Sequence, residues 1–365
     1  MRDQTPFWEL SCVSSMTKSE VLSFCNYAAK SSPNPNISPL LLHPLFFAFR
    51  TVVGQNLTGT LPTELAKFPL LQSISLPYNE LEGEIPVEYS QVKRLLNLEL
   101  HGNMLSGTIP EDFFNGEGNN GLQNFNVGEN LLSGTISTGL GFMTNLKGLH
   151  IFENLFTGSF PSQIERLGFL SYMRINNNLF TGSIPTGVGR LRQLNEMWMH
   201  ASGFTGNIPS EIGNLDRRLG NLRLSENKLT GTIPEELYEL TRLSFLDLQK
   251  NYHEEDKPDY GLSGTISTNV GKLTDLISLQ YSFNRLTGTI PTEVTNLSRM
   301  RLFWTHINLL SGSMPQQICQ RVGPGNLEFL QTDCGPEISP VVDCLCCSAC
   351  CDRDTGICLL YGFDE

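Results

Sequence analysis

One four-residue pattern recurs along most of the chain and limits what it can fold into. Eleven copies of a glycine-x-apolar-x tetrad occur in the 365 residues, most of them 24 residues apart. A repeat of this length is one supersecondary unit that cannot bury its apolar face alone, so successive units must stack against one another. The glycines that open the tetrads are Gly59, Gly83, Gly107, Gly134, Gly158, Gly182, Gly206, Gly231, Gly264, Gly288 and Gly312.

The residues before each glycine complete the repeating unit. An asparagine lies four residues before the glycine in eight of the eleven turns, and in a ninth Asn251 takes this place ahead of nine inserted residues. Gln55 and Ser202 are the exceptions, and we call this position the ladder position. Apolar residues lie three, five and eight positions before it, as in Leu71, Ile74 and Leu76. Such alternation predicts a short strand with one buried face, and the strands of successive turns should stack in parallel. The ladder side chain is predicted to bond backbone groups that water cannot reach.

The complete unit, L-x-x-L-x-L-x-x-N-x-L-x-G-x-I-P, resembles the plant-type leucine-rich repeat. The resemblance implies an α/β solenoid, a right-handed superhelix with a parallel β-sheet on its concave side and short or 3₁₀ helices outside. About eleven turns with strands ~4.8 Å apart would span roughly 50 Å. Three regions are predicted: an N-terminal segment or cap at 1–46, repeats at 47–318 and a cysteine-rich C-terminal cap at 319–365.

Extra residues interrupt the period at three places. Three lie within 115–120, one is near Asp216, and nine form the stretch 252–260. All three are predicted to be loops that leave the solenoid. The longest is acidic, but it lacks the fixed spacing and the glycine of a calcium-binding loop, so we predict a solvated loop and no metal site.

Eight of the ten cysteines follow Gln317, a density that favours an oxidising compartment. Their order, Cys-x-Cys-Cys-x-x-Cys-Cys and then Asp-x-x-Thr-Gly-x-Cys, resembles the tail of leucine-rich-repeat proteins that are abundant in diatoms. A disulfide knot that seals the last turn is one interpretation. A zinc site is the other, because Cys347 and Cys350 have the two-residue gap that chelating thiolates favour. The eight are Cys319, Cys334, Cys344, Cys346, Cys347, Cys350, Cys351 and Cys358.

Signals for export are mixed. Three acceptor triplets for N-glycosylation begin at Asn36, Asn56 and Asn296, which together with the cysteines predicts an extracellular or cell-surface location. Residues 1–10 are polar, however, and do not form the apolar centre of a signal peptide. The longest apolar run, 40–49, is about half the length of a bilayer crossing and is predicted to be buried core.

Charge and motif content argue against several functions. The net charge of −12 repels phosphate backbones and anionic headgroups, so no nucleic-acid partner is predicted. We find no phosphate-binding loop, kinase catalytic loop, nucleophile elbow or zinc-protease helix, and we predict no catalytic residue and no cofactor. Four of the six histidines lie at regular positions of the repeat, which predicts surface positions for His101, His150, His200 and His306.

Side chains that alternate with the buried leucines must point away from the concave sheet, and in the middle of the chain they are aromatic or basic. Such side chains often anchor interfaces. Trp304 and His306 form a second, smaller group. Alternatively, neighbouring aromatic rings merely stack on one another along the sheet. The predicted ligand-binding strip consists of His150, Phe152, Tyr172, Arg174, Trp198, His200 and Arg223.

These features predict a non-catalytic recognition scaffold. The family resemblance implies a receptor-ectodomain-like module for a protein, peptide or glycan ligand, with a possible signalling co-receptor; a secreted inhibitor of wall-degrading enzymes is a variant. The alternative is a structural, ice-binding or wall-binding solenoid, because threonines recur beside the tetrad glycines. Neither the ligand nor the oligomeric state follows from the pattern.

Overall fold

The structure is a computed structural model. The residues that it describes are 52–68, 70–114, 121–215, 218–251, 261–323, 326–333, 342–344, 346–351 and 358–360. The three insertion loops, the segment 1–46 and Cys334 lie outside them.

The chain is a leucine-rich-repeat solenoid that alternates between two kinds of strand. One strand per turn joins a long sheet on the concave side. A second set of strands, at the tetrads, forms several smaller sheets of two to four strands. In chain order the strands are β1 Thr58–Thr60, β2 Ser73–Ser75, β3 Glu80–Gly83, β4 Asn97–Glu99, β5 Met104–Leu105, β6 Asn124–Asn126, β7 Ser133–Thr135, β8 Gly148–His150, β9 Leu155–Ser159, β10 Tyr172–Arg174, β11 Leu179–Thr181, β12 Glu196–Trp198, β13 Thr205–Asn207, β14 Asn221–Arg223, β15 Lys228–Thr230, β16 Phe245–Asp247, β17 Ser263–Thr265, β18 Ser278–Gln280, β19 Arg285–Thr289, β20 Leu302–Trp304, β21 Leu309–Ser313, β22 Phe329–Asp333, β23 Val342–Asp343, β24 Ala349–Cys351 and β25 Cys358–Leu360.

The long sheet has thirteen strands, which are the even-numbered strands β2 to β24 followed by β25. Its first twelve strands are parallel, and β25 pairs antiparallel with β24. Equivalent repeat positions face each other across neighbouring strands, as Met173, Met197 and Leu222 do. The predicted parallel sheet is therefore confirmed, and the sheet continues without interruption into the C-terminal cap through β22 and β24.

Short 3₁₀ helices form the outer side of the solenoid. Proline precedes most of them and fixes φ where no backbone donor is needed. In the two tetrads that end in serine, Ser137 and Ser267 cap the helix instead, with Oγ accepting from the N–H of Gly139 and Asn269. The helices are η1 Thr63–Lys67, η2 Val87–Gln91, η3 Glu111–Phe114, η4 Thr138–Phe142, η5 Ser162–Arg166, η6 Thr186–Arg190, η7 Ser210–Asn214, η8 Glu235–Glu239, η9 Thr268–Lys272 and η10 Thr292–Asn296, followed by one α-helical turn, α1 Gln316–Cys319.

The ladder asparagines bond both their own turn and the preceding one. Asn227 is 1% exposed, and its Oδ1 accepts hydrogen bonds from the N–H groups of Ser202 and Phe204. Its Nδ2 donates to the carbonyl oxygens of Met199, Leu224 and Ser225 at 2.9–3.1 Å. The predicted role of this position is confirmed, because one amide satisfies backbone groups of two turns that water does not reach.

The residue before each ladder position adopts the left-handed conformation. This holds in all ten turns from Tyr78 to Ile307, and only one of these ten residues, Gly102, is a glycine. Bulky residues rarely adopt positive φ. Here the ladder side chain bonds the carbonyl groups two and three residues before it, which holds the backbone in this turn, as Asn284 does with Ser282 and Tyr281. The sequence pattern does not predict this left-handed conformation.

Disulfides close the C-terminal end. Cys319 at the end of α1 is bonded to Cys346, and Cys344 is bonded to Cys347. Cys350 and Cys351 are also in disulfides. Because sulfurs held in disulfides are not available as thiolate ligands, the structure favours the disulfide interpretation over a zinc site at Cys347 and Cys350.

Candidate ligand-binding surface

The seven residues of the predicted strip lie on one face of four adjacent strands. His150 ends β8, Tyr172 and Arg174 lie on β10, Trp198 ends β12, and Arg223 ends β14. Phe152 and His200 follow β8 and β12 by two residues. Tyr172 is 41% exposed, whereas the other six side chains are half-buried. The strip is thus a continuous, partly covered surface and not a row of freely extended side chains.

Trp198 lies between two guanidinium groups. The Cζ atom of Arg174 is 4.1 Å from the centre of the indole, and that of Arg223 is 4.5 Å away. Arg174 also donates from Nε and Nη2 to Oε2 of Glu196, at 3.1 and 2.7 Å. Both arginines stack on the half-buried indole, and Arg174 also forms an ion pair with Glu196 on the strand of Trp198. These contacts order the side chains before any ligand binds.

Glu196 and Asn221 also belong to the surface, although neither is part of the predicted strip. They occupy the outward position at the start of β12 and β14, so the repeat register itself was the available signal. Glu196 neutralises Arg174, and Asn221 Oδ1 accepts from Nε of Arg223 at 3.2 Å. The Nη atoms of Arg223 make no hydrogen bond to any residue described, which leaves its outer edge as the cationic donor of the strip.

Two glycines let aromatic rings lie against the sheet. A Cβ atom on Gly128 would be 2.5 Å from the ring of Phe152, and one on Gly148 would be 2.9 Å from Nε2 of His150. Any larger residue at either position would push the ring away from the sheet. The half-buried placement of the two rings therefore depends on Gly128, two residues after β6, for Phe152 and on Gly148, at the start of β8 itself, for His150.

The histidines of the concave face are neutral near pH 7. Burial, with smaller effects of the Arg174 charge and His101, lowers the pKa of His150 to about 4. Burial also lowers the pKa of His200, and the charge of Arg223 acts in the same direction. The fixed charges of the strip are therefore those of Arg174, Arg223 and Glu196.

The second group, Trp304 and His306, repeats the arrangement of Trp198 and His200. The regular repeat position of His306 predicts a surface location, which is wrong, since only 6% of this residue is exposed. Its ring packs edge-on against Phe283 and Trp304, with centroid distances of 5.3 and 6.3 Å. This burial lowers the pKa of His306 to about 4.

A rank of small hydroxyl residues follows the tetrad glycines on another face. Every residue directly after a tetrad glycine is exposed, and nine of the eleven are threonine or serine. In all six threonines the γ-methyl group lies 2.8–3.1 Å from the position that a Cβ would occupy on the next glycine. The threonines thus share one orientation. They are Thr60, Thr108, Thr135, Thr232, Thr265 and Thr289.

Other predicted sites are only partly covered by the structure. Asn56 and Asn296 are exposed, and Asn36 lies outside the described residues. Within the described ranges there is no helix long and apolar enough to span a bilayer, and no group of three or more histidine, cysteine or acidic side chains that could hold a metal ion.

Comparison with known proteins agrees with the repeat and the fold. The Leucine Rich Repeat family model matches residues 94–115 and 218–240. A search of curated protein sequences found no match. Leucine-rich repeats are therefore matched directly at these two stretches of the chain.

Solved structures with similar folds include receptor ectodomains and an ice-binding protein. The TDR receptor superposes with a TM-score of 0.71 at 26% identity, over 80% of this chain and 47% of that one. The ectodomain of the Arabidopsis receptor kinase HAESA, in complex with an extended IDA peptide hormone, gives 0.63 at 28% identity, over 80% and 49%. A plant ice-binding protein gives 0.57 at 27% identity, over 68% and 77%. This chain spans about half the length of the two receptors.

Proposed function

We propose that this protein is a non-catalytic recognition module that binds a protein or peptide ligand on its concave face. The observation that carries the proposal is the Arg174–Trp198–Arg223 stack, which holds a large aromatic group and two cations in place on adjacent strands. HAESA, a structural neighbour, is described with a bound peptide hormone, which supports the same ligand class here.

The geometry suits binding for two physical reasons. Side chains that are ordered before association lose less conformational entropy when they are covered, so more of the contact energy appears as affinity. Aromatic and arginine side chains also dominate the energetics of interfaces.

We further propose an extracellular or cell-surface location, glycosylation at Asn56 or Asn296, a co-receptor for signalling, and kinship with the diatom proteins whose tails the cysteine cluster resembles.

The concave strip is tested by removing its centre. The triple variant Tyr172→Ala, Arg174→Ala and Trp198→Ala should lose at least 100-fold in affinity for a ligand captured by the wild-type protein from native extracts, because two or more anchor residues typically contribute about 3 kcal/mol or more. Affinity is measured by calorimetry or surface plasmon resonance. The matched control, Leu131→Ala, removes an exposed apolar side chain outside the strip and should bind normally. Equal affinity of the triple variant and the wild type would exclude the strip as the binding site.

A second candidate function is ice binding through the hydroxyl rank. Four successive turns present Thr232, Thr265, Thr289 and Ser313 at the same position of the repeat, directly after the tetrad glycine. Each is offset by two residues from the next along the paired strands, since Thr265 lies opposite Thr287 and Thr289 lies opposite Ser311. Neighbouring hydroxyls in the same strands bond the sheet; Thr287 Oγ1, for example, donates to the carbonyl of Gly264 at 3.2 Å. A regular, rigid array of this kind, together with the similarity to a plant ice-binding protein, favours this candidate.

Charge introduced into the rank distinguishes this candidate. If the protein binds ice, the wild type should inhibit ice recrystallisation, and the double variant Thr265→Lys and Thr289→Lys should lose nearly all of that inhibition, because two long charged side chains disrupt the flat array. The control Thr268→Lys and Thr292→Lys carries the same charge on the exposed outer helices and should retain it. Absence of inhibition by the wild type would eliminate this candidate without affecting the concave strip.

A further inference from the structure

Two tryptophan-x-histidine pairs recur on the concave sheet with nearly the same geometry. Trp198 and His200 follow one another at the end of β12, and Trp304 and His306 do so at the end of β20. The ring centroids are 6.3 Å apart in both pairs, and the planes are inclined at 55° and 61°. In both pairs the tryptophan Nε1 and the histidine Nδ1 are buried and make no hydrogen bond to the residues described.

The Nδ1 atom of His101, at the same repeat position in an earlier turn, is also unpaired within the described ranges, but only the two later turns add an unpaired tryptophan Nε1 beside the histidine. Two unpaired nitrogens at each of two equivalent places point to a partner that supplies the missing bonds. A buried donor without an acceptor costs about 1–3 kcal/mol, and proteins seldom keep such groups without a function. Asn176 Oδ1, just after the strand next to Trp198, is a further buried acceptor without a partner among the described residues. Small side-chain rotations, which are common on binding, would bring these atoms into contact with a ligand.

The separation of the pairs sets the length of that ligand. Strands β14, β16 and β18 lie between β12 and β20, so the pairs are four strand spacings apart. At ~4.8 Å per strand this is roughly 19 Å, and an extended polypeptide advances ~3.3 Å per residue. About six residues of extended peptide connect the two pairs.

The outward side chains between the pairs are mostly polar, with the exposed Phe245 on β16 as an exception, and several of them bond one another. Ser225 Oγ donates to Asp247 at 2.7 Å, Ser282 Oγ to Gln249 at 3.2 Å, and Gln280 Nε2 to Ser278 at 2.9 Å. These groups pair with one another, and the three serines are buried. The remaining lone pairs of Asp247 and Gln249 are acceptors for the N–H groups of an extended peptide backbone.

A glycan fits this surface less well. Sugar rings are normally held by stacking on an open aromatic face, but both faces of the Trp198 indole are covered by Arg174 and Arg223. The Nε1 donor of Trp198 is buried and unpaired in the part of the chain that the structure describes, and a backbone carbonyl is a suitable acceptor for it once a small rotation of the ring exposes it.

We propose that the concave face binds an extended peptide through two anchor positions about six residues apart, one at Trp198 and His200 and the other at Trp304 and His306. The inference rests on the proposed function, and it adds a second contact site four turns from the first together with a fixed spacing. A ligand joined across two sites gains affinity by effective concentration, so losing either site should weaken binding strongly.

The test uses a displayed library of random dodecapeptides selected on the full chain. Alanine scanning of a selected peptide should find two sensitive positions five to seven residues apart, and insertion of two glycines between them should weaken binding at least tenfold. Trp304→Ala should weaken binding at least tenfold, and Trp304→Phe, which keeps the packing and removes only the N–H, should weaken it measurably. Tyr78→Ala, an exposed aromatic residue on another turn, is the control and should bind as the wild type does.

The outcomes separate this inference from the proposed function. If the triple variant at Tyr172, Arg174 and Trp198 loses binding but both Trp304 variants bind normally, a single site is sufficient, and the two-anchor inference is overturned while the proposed function stands. If none of these variants changes binding, both are overturned. Selection of no peptide, together with tryptophan-dependent binding on an array of linear glycans, would overturn the ligand class.

Discussion

Replacement of Asn227 by alanine is expected to lower the free energy of unfolding by at least about 3 kcal/mol. The side chain satisfies two N–H groups and three carbonyl groups of two turns, and all of these lie in a region closed to water. Alanine supplies neither donor nor acceptor, so several buried polar groups lose their partner at once. Each unsatisfied group costs about 1–3 kcal/mol, and partial relaxation of the turn reduces the sum.

Urea unfolding followed by circular dichroism measures this effect. Asn214→Ala is the matched control, because it removes the same side chain from an exposed position on η7 and should change stability by less than about 0.5 kcal/mol. Asn227→Ser should lie between the two. The natural serine at this position, Ser202, has its Oγ 3.1 and 3.0 Å from the carbonyls of Ile175 and His200, and it shares one hydrogen between them. Equal losses for Asn227→Ala and Asn214→Ala would contradict this account of the ladder.

Gly189→Ala is expected to destabilise the solenoid by about 3 kcal/mol. Gly189 is buried in η6, where an added Cβ would overlap the backbone carbonyl oxygen of Glu211 and lie 2.8 Å from its carbonyl carbon. The obstacle is the backbone of η7, which cannot rotate away as a flexible side chain would. Neighbouring turns must therefore separate, which disturbs the packing between η6 and η7.

Gly168→Ala provides the control for this prediction. Gly168 has ordinary φ, and an added Cβ would meet no atom within 4 Å. Its substitution should leave stability unchanged or raise it slightly, because alanine restricts the unfolded chain more than glycine does. Thermal unfolding of both variants under identical conditions distinguishes a contact effect from a general effect of glycine substitution. Similar melting temperatures for the two variants would show that the outer helices tolerate wider spacing.

The architecture could be predicted from the sequence because it depends on periodicity. The apolar spacing placed the strands, the asparagines marked the ladder, and the alternation assigned His150, Tyr172 and Trp198 to the outward face. Each of these conclusions follows from local geometry that repeats in every turn, so one unit predicts the others.

The detail of the candidate site could not be predicted in the same way. The stacking of Arg174 and Arg223 on Trp198 joins residues 24 and 25 positions apart, and it depends on strand register and on side-chain rotamers. The burial of His306 depends on the placement of Phe283 and Trp304 around it. Disulfide pairing likewise depends on which cysteines the final turns bring together.

The sequence by itself determined the solenoid, its parallel concave sheet and the face on which each outward residue lies. Those properties are set by which residues are apolar and how often they recur. Only the tertiary structure decided how the outward side chains contact one another, which rings are covered and which polar atoms remain without a partner among the described residues. These properties depend on distances of a few ångströms between different turns, and periodicity carries no information about them.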